Sequence, residues 1–337
     1  MRQSSKRIGF ILFILLGMFH PFGCNYLVKN EEHRVYSKPL YGSDHFIVAK
    51  GHHIHYVEIA SETSGGETVV LIPGAFSTYR SWNRMIPFLS RHYRLLALDY
   101  VGTGDSDKPH LGFDYKIEEQ ADLIAEIVQK LNLPKIHLVG VSYGGVIALN
   151  FATRYPKWTG QVVCIEGGVV KPEKMPNNGK KGLLRWPLIG DFFISAIRSG
   201  LFDQMTAMSV MGKAWESLAE NEKEEIVQII SQNNKTASRI SWYRISRTFE
   251  NSKDFVEEVK GIQAPVLYLY GKRSEFRSMA EMNVRFFKTH LPEIEMVDFE
   301  DGVHDLELQK PGEVAQLVIE FLGKKREDTK KEVHLQQ

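Results

Sequence analysis

Gly140-Val141-Ser142-Tyr143-Gly144-Gly145 is the stretch from which the rest of the chain can be read. Before it runs Ile136, Leu138 and Val139, the pattern of a buried strand. After it Val146-Ile147-Ala148-Leu149-Asn150-Phe151-Ala152 reads as a helix packed on that strand. A serine between glycines at a strand-to-helix junction is the G-x-S-x-G pattern of a nucleophile elbow. Small residues at 140 and 144 let the chain turn sharply, which holds the serine in a sparsely populated backbone conformation with its hydroxyl clear of the sheet. The helix start adds a free backbone N–H and the positive end of a dipole. Five residues of this kind also arise by chance in a glycine-rich turn, so the surroundings must decide.

The 337 residues suggest about two domains at roughly 150 residues each. With 43% hydrophobic and 25% charged residues the chain can bury a sizeable core. A net charge of +1 gives no drive towards nucleic acid. The one long charge block, residues 324–331, reads as a solvated tail, and 326–337 are assigned to it.

The first residues have a different character. Arg2, Lys6 and Arg7 precede an apolar run over 8–19 broken by two glycines. Extended to Phe22, the run is about fifteen residues, or about 23 Å of helix at 1.5 Å per residue. That is short for a bilayer core of about 30 Å and suits a signal-peptide core over 1–23. Phe22-Gly23-Cys24 is similar to a bacterial lipobox, although Pro21 replaces the usual leucine. The expectation is a lipidated Cys24, a tether over 24–43 and a lipid-anchored place in the bacterial cell envelope. A secreted or periplasmic protein and an uncleaved anchor are the alternatives. Cys164, the second of two cysteines, sits in Val162-Val163-Cys164-Ile165 and reads as a buried thiol.

Residues 45–48 and 54–57 alternate like two strands joined at Lys50-Gly51. His53 and His55 share a face of the second, read as solvated rather than as part of a metal site. Apolar strands follow at 68–72, 93–98, 136–139, 161–166, 265–270 and 294–299. Helical patterns lie at 81–91, 118–131, 146–152 and 279–289, with a last one over Val314, Leu317, Val318, Phe321 and Leu322. Such alternation makes an α/β fold with a mostly parallel sheet covered on both faces. Residues 170–260 break the rhythm with helical patterns only. Trp186, Phe192, Phe193, Met205, Met208, Met211, Trp242 and Tyr243 concentrate there. The segment reads as a helical lid between core segments 44–169 and 261–325. Most of those side chains are assigned to the lid's own core and a minority to an apolar substrate pocket.

Asp99-Tyr100-Val101-Gly102-Thr103-Gly104-Asp105-Ser106 matches the D-x-x-G-x-G-x-S run of the α/β-hydrolase superfamily. Pro73-Gly74-Ala75 stands in place of its H-G-x loop, and Gly302-Val303-His304 stands where that family keeps its histidine. With the elbow, four ordered motifs resemble the family over about residues 45–325. The wording of 81–109 is most similar to the haloalkane dehalogenase and epoxide hydrolase branch, which attacks with an aspartate where this chain has Ser142. Serine suits acyl transfer, so dehalogenation and epoxide opening are disfavoured.

The resemblance implies Ser142 as nucleophile and His304 as general base. It also implies an oxyanion hole from the backbone N–H groups of Ala75 and Tyr143. Many relatives carry the acid as G-x-x-D, which here reads Gly271-Lys272-Arg273-Ser274 with Glu275 one place late. Glu166, at the strand end after the elbow helix, is the favoured acid and Glu275 the alternative. The expectation is a cofactor-independent, metal-free serine hydrolase acting on a hydrophobic ester or acyl bond, carboxylesterase- or lipase-like. Thioesterase, lactonase, arylamidase and C–C bond hydrolase activities use the same parts. A catalytically silent lipoprotein that binds lipid or a partner is the alternative from a different class.

Overall fold

Eight short, β-branched or aliphatic runs form one sheet: β1 Ser43–Ala49, β2 His52–Ile59, β3 Thr68–Ile72, β4 Arg94–Leu98, β5 Ile136–Val141, β6 Thr159–Ile165, β7 Val266–Gly271 and β8 Glu295–Phe299. Their order is β1-β2-β4-β3-β5-β6-β7-β8. β1 and β2 form an antiparallel hairpin, β2 pairs antiparallel with β4, and the remaining neighbours are parallel. The computed structural model describes residues 37–63, 66–170, 180–291 and 294–324. The expected signal peptide, Cys24, the tether up to residue 36 and the tail 326–337 lie outside the described residues.

Along each central strand the side-chain period of two feeds two cores. Val70, Ile72, Leu138, Val162, Cys164 and Tyr268 face one side, where α2 (Ile117–Lys130), α3 (Tyr143–Arg154) and α11 (Arg277–His290) cover them. Val69, Leu71, Val139, Val163 and Leu267 face the other, under α1 (Ile86–Leu89) and α13 (Pro311–Leu322). The fold is therefore the α/β-hydrolase arrangement, a mostly parallel sheet between helical layers.

Register places the site. Val141 pairs with Ile165, Ile165 with Leu269, and Gly271 with Phe299. The carboxyl ends of β5 to β8 thus stop side by side, and open sheets of this type carry their ligand sites at that edge. Between β6 and β7 the described residues add α4 (Lys180–Arg185), α5 (Pro187–Arg198), α6 (Asp203–Met211), α7 (Glu220–Lys235), α8 (Arg239–Ile245), α9 (Thr248–Asn251) and α10 (Val256–Val259). A short α12 (Leu306–Gln309) follows the histidine loop. Among the described residues no helix is long and apolar enough to cross a membrane.

Two readings need correction. The helix expected over 81–91 is a 3₁₀ turn, Tyr79–Trp82, followed by the four-residue α1. Pro87 starts α1 at its first turn, where a missing N–H is tolerated, and so prevents one continuous helix through 81–91. His55 is not on a solvated face: it is 2% exposed. β4 lies beside β2, so Asp99, the residue after β4, donates its N–H to the His55 carbonyl at 3.0 Å and brings its carboxylate against the ring.

Candidate active site

Ser142 leaves β5 at φ 51° and ψ −115°. Its N–H bonds the Ile165 carbonyl at 2.7 Å, and its own carbonyl accepts the Val146 N–H at 3.1 Å. A Cβ at Gly140 would lie 2.3 Å from the Gly144 oxygen, and one at Gly144 would lie 2.1 Å from the Ile72 oxygen. Both glycines are therefore required by close backbone approach. Ser142 occupies the N-cap of α3, yet its side chain makes no capping bond. A serine there ordinarily accepts an N–H of the first turn. The unusual backbone turns this hydroxyl away and leaves it available.

Glu166 is the counterpart on the next strand. One residue beyond β6 it adopts φ 53°, and its N–H is held by the Leu269 carbonyl at 2.8 Å. The turned-in carboxylate is 2% exposed and lies 3.1 Å from His304 Nδ1. Gly271 N–H donates to Oε1, and Ser274 Oγ donates to Oε2 at 2.8 Å. Ser274, at the position where many relatives carry their acid, thus binds the Glu166 carboxylate. Glu275 is exposed and faces His304 only as a nearby charge.

An ionised carboxylate accepts only, so Nδ1 carries the proton and the lone pair of the neutral ring is at Nε2. Burial pushes His304 towards lower pKa. The Glu166 hydrogen bond and the charges of Asp305, Glu166 and Glu275 outweigh it, leaving the ring above its ordinary 6.5. The Phe276 ring packs on the imidazole at 4.5 Å. Glu307, buried on α12, is pushed well above the carboxylate range, first by burial and then by the Asp305 charge.

The backbone of Ala75 lies in the turn after β3, and Tyr143 opens α3, whose first amides have no partner within the helix. Tyr100 joins these two places, and nothing in the residue pattern marks it beyond its position inside the D-x-x-G-x-G run. Its hydroxyl donates to the Gly74 carbonyl at 2.9 Å, and its ring meets that of Tyr143 edge-on at 5.1 Å. Tyr100→Phe removes one hydrogen bond worth ~1–1.5 kcal/mol from the turn that presents the Ala75 N–H. A kcat about tenfold lower at unchanged KM is expected on a p-nitrophenyl ester; an unaltered kcat would remove Tyr100 from the arrangement.

An apolar wall adjoins the turn. Phe76, at φ 68°, sets its ring 4.9 Å from Trp242, which is buried with Leu184, Ile194, Ile197 and Ala237. Met211, Ile226, Ile229 and Ile230 form a second cluster that includes Val303, beside His304, and Leu308. Arg84 ties the pieces together: it bonds Glu222 at 2.6 Å and Glu225 at 3.0 Å on α7, and donates to the Leu308 carbonyl. Trp186, Phe192, Met205 and Met208 belong to neither cluster and are exposed, against the expectation that most such residues are interior.

The His55, Asp99 and Asp105 side chains lie close enough for a metal ion. Their geometry has another use. Asp99 binds His55 Nδ1 at 2.7 Å and accepts the N–H groups of Tyr79 at 2.8 Å and Asp105 at 3.0 Å. His55 Nε2 reaches Asp44 at 3.1 Å. The cluster braces the 99–106 loop under the site. Cys164 is fully buried against Gly145 and Gly167, and burial pushes its thiol up to about 12, which leaves it unreactive.

Comparison with known proteins agrees with this architecture. A model of the alpha/beta hydrolase fold family matches residues 67–311. A 2-hydroxy-6-oxo-2,4-heptadienoate hydrolase of Pseudomonas putida is 38% identical over 98 residues, 28% of this chain and 35% of that enzyme, so the match spans about a third of that relative. A 2-hydroxy-6-oxononadienedioate/2-hydroxy-6-oxononatrienedioate hydrolase of Cupriavidus pinatubonensis is 25% identical and is matched over 84% of this chain and 96% of its own. The enol-lactonase of Burkholderia xenovorans superposes with a TM-score of 0.64 at 17% identity, over 83% of this chain and all (100%) of that one. With its sheet order, its elbow and the matched span together, the chain belongs to the alpha/beta hydrolase fold family.

Proposed function

We propose that the protein is a serine hydrolase that cleaves an ester or related acyl bond of a hydrophobic substrate. Ser142 attacks the acyl carbon while His304 Nε2 takes the hydroxyl proton. Glu166 holds the imidazole in the required tautomer and stabilises the imidazolium that forms. The N–H groups of Ala75 and Tyr143 receive the oxyanion; one such donor is worth ~3–4 kcal/mol in the transition state. His304 then protonates the leaving group, and water resolves the acyl-enzyme by the same route. The observation that carries the reading is the buried Glu166 carboxylate on His304 Nδ1, one strand from an elbow serine whose hydroxyl is not spent on its helix. The Phe76–Trp242 wall favours an apolar acyl or alkyl group, the inserted helices serve as its lid, and no cofactor is required.

C–C bond hydrolysis is the second reading, favoured by the relative matched over 96% of its length. Membrane attachment through Cys24 remains part of the proposal for the whole chain. A fluorophosphonate probe tests the nucleophile: the wild-type protein should be labelled and Ser142→Ala should not. Labelling of neither would favour a silent binding protein.

A further inference from the structure

Thirteen large apolar side chains are exposed among the described residues, and eight of them fall within residues 183–208. α5 buries Gly190, Ile194 and Ile197 on its inner side, so Leu188, Ile189 and Phe192 make a second apolar face that no other described residue covers. Phe192 is 78% exposed. On α6 the buried Ala207 and Met211 are answered by outward Met205 and Met208, with Leu201 71% exposed in the turn before it and Trp186 60% exposed before α5. Helices apolar on two faces belong in an interior or against a nonpolar phase.

The charges around these faces point to the same phase. Residues 180–213 hold Lys180, Lys181, Arg185, Arg198 and Lys213 against only Asp191 and Asp203. Both acids are spent inside the fold, Asp191 on Arg239 at 2.7 Å and Asp203 on Asn234 at 2.7 Å, and of the cations Arg198 is likewise engaged, donating to the Ala237 carbonyl at 2.6 Å. The segment therefore offers aromatic and aliphatic groups edged with cations, the composition of a helix lying in an anionic lipid interface. The path of the chain agrees. Ser37, the first described residue, is bonded to Arg80 at 2.8 Å in the turn after β3, and α7 is fastened to the same turn by Thr78 Oγ1 on Asn233 at 2.6 Å. With the proposed attachment at Cys24, the chain enters the described fold at Ser37, at the sheet end that carries the inserted helices, and residues 24–36 can span at most roughly 45 Å.

We propose that the outward faces of α5 and α6, with Trp186 and Leu201, dock on the surface of an anionic lipid bilayer. This contact is separate from any hold by the N-terminus and does not require hydrolysis. The test uses the full chain on vesicles of phosphatidylglycerol and brominated phosphatidylcholine, with tryptophan emission as the local reporter. Quenching of the wild-type emission should be lost in Trp186→Phe and should persist in Ser142→Ala, which separates this result from the activity. Phe192→Ser with Met205→Ser, both at exposed positions, should reduce the quenching several-fold. Omitting phosphatidylglycerol should weaken it. Equal quenching in the wild type and Trp186→Phe would overturn the proposal. So would an unquenched Trp186 in a protein that sediments as a dimer, which would assign the faces to a second copy.

Discussion

Glu166→Gln is expected to lower kcat on a p-nitrophenyl ester by about 10⁴, the loss that follows when the orienting acid can no longer fix the imidazole tautomer. Gln keeps the shape of Glu166; its one oxygen can still accept the Gly271 N–H, and its NH2 can donate to the Ser274 hydroxyl oxygen in place of the bond Glu166 accepts, so the fold should persist. Glu275→Gln should change kcat by less than about fivefold, the scale of a screened surface charge. The pH profile gives a second readout. His304 must be neutral to accept the serine proton, so kcat/KM rises as pH passes through its pKa, which stands above 6.5. Burial alone would lower that pKa, and the Glu166 hydrogen bond is the largest cause that raises it. In Glu166→Gln the acid limb should therefore move to lower pH. Equal, small losses in both variants would overturn the assignment of the acid.

Asp99→Ala is expected to cost about 3–5 kcal/mol of unfolding free energy, as removal of one member of a buried ion pair usually does. The carboxylate is fully buried and serves His55, Tyr79 and Asp105 together. A Cβ at Gly104 would fall 1.9 Å from it, so no larger side chain at 104 can take its place. The pair also has a pH signature. Burial opposes ionisation of both groups, but their mutual hydrogen bond leaves His55 raised above 6.5 and Asp99 lowered below 3.8. The His55 contribution is complete below 6.5 and is lost as pH rises through the folded value. The Asp99 contribution is complete above 3.8 and is lost as pH falls through its folded value. Urea midpoints of the wild type should thus fall on either side of this window, and those of Asp99→Ala should lack both declines. A midpoint unchanged in the variant would show that the brace is dispensable.

The core was readable because its strands are short and apolar on both faces, and because Gly140 and Gly144 leave only one way for the chain to pass Ser142. Other features were hidden for definite reasons. Strand alternation assigns His53 and His55 to one face but does not say that the Asp99 loop will cover the second of them. Glu166 is favoured over Glu275 by its place at a strand end, but the left-handed turn that aims its carboxylate at His304, and the bond it accepts from Ser274, have no sequence mark. Helical spacing shows that Phe192 and Met205 are apolar at regular intervals. It cannot tell an interior from an outer face when the helix is apolar on both. Tyr100 acts through a hydroxyl aimed at a main-chain oxygen, and a motif that leaves its position open could not have named it.

The guanidinium of Arg84 has consequences for traffic to Ser142. If α7 swung outward, this group would lose Glu222 and Glu225 together and keep only the Leu308 oxygen. Breaking two charge-assisted bonds at once opposes that motion of α7. A molecule on its way in or out would have to pass elsewhere along the insertion, and the stretch carrying His304 would hold still during its passage.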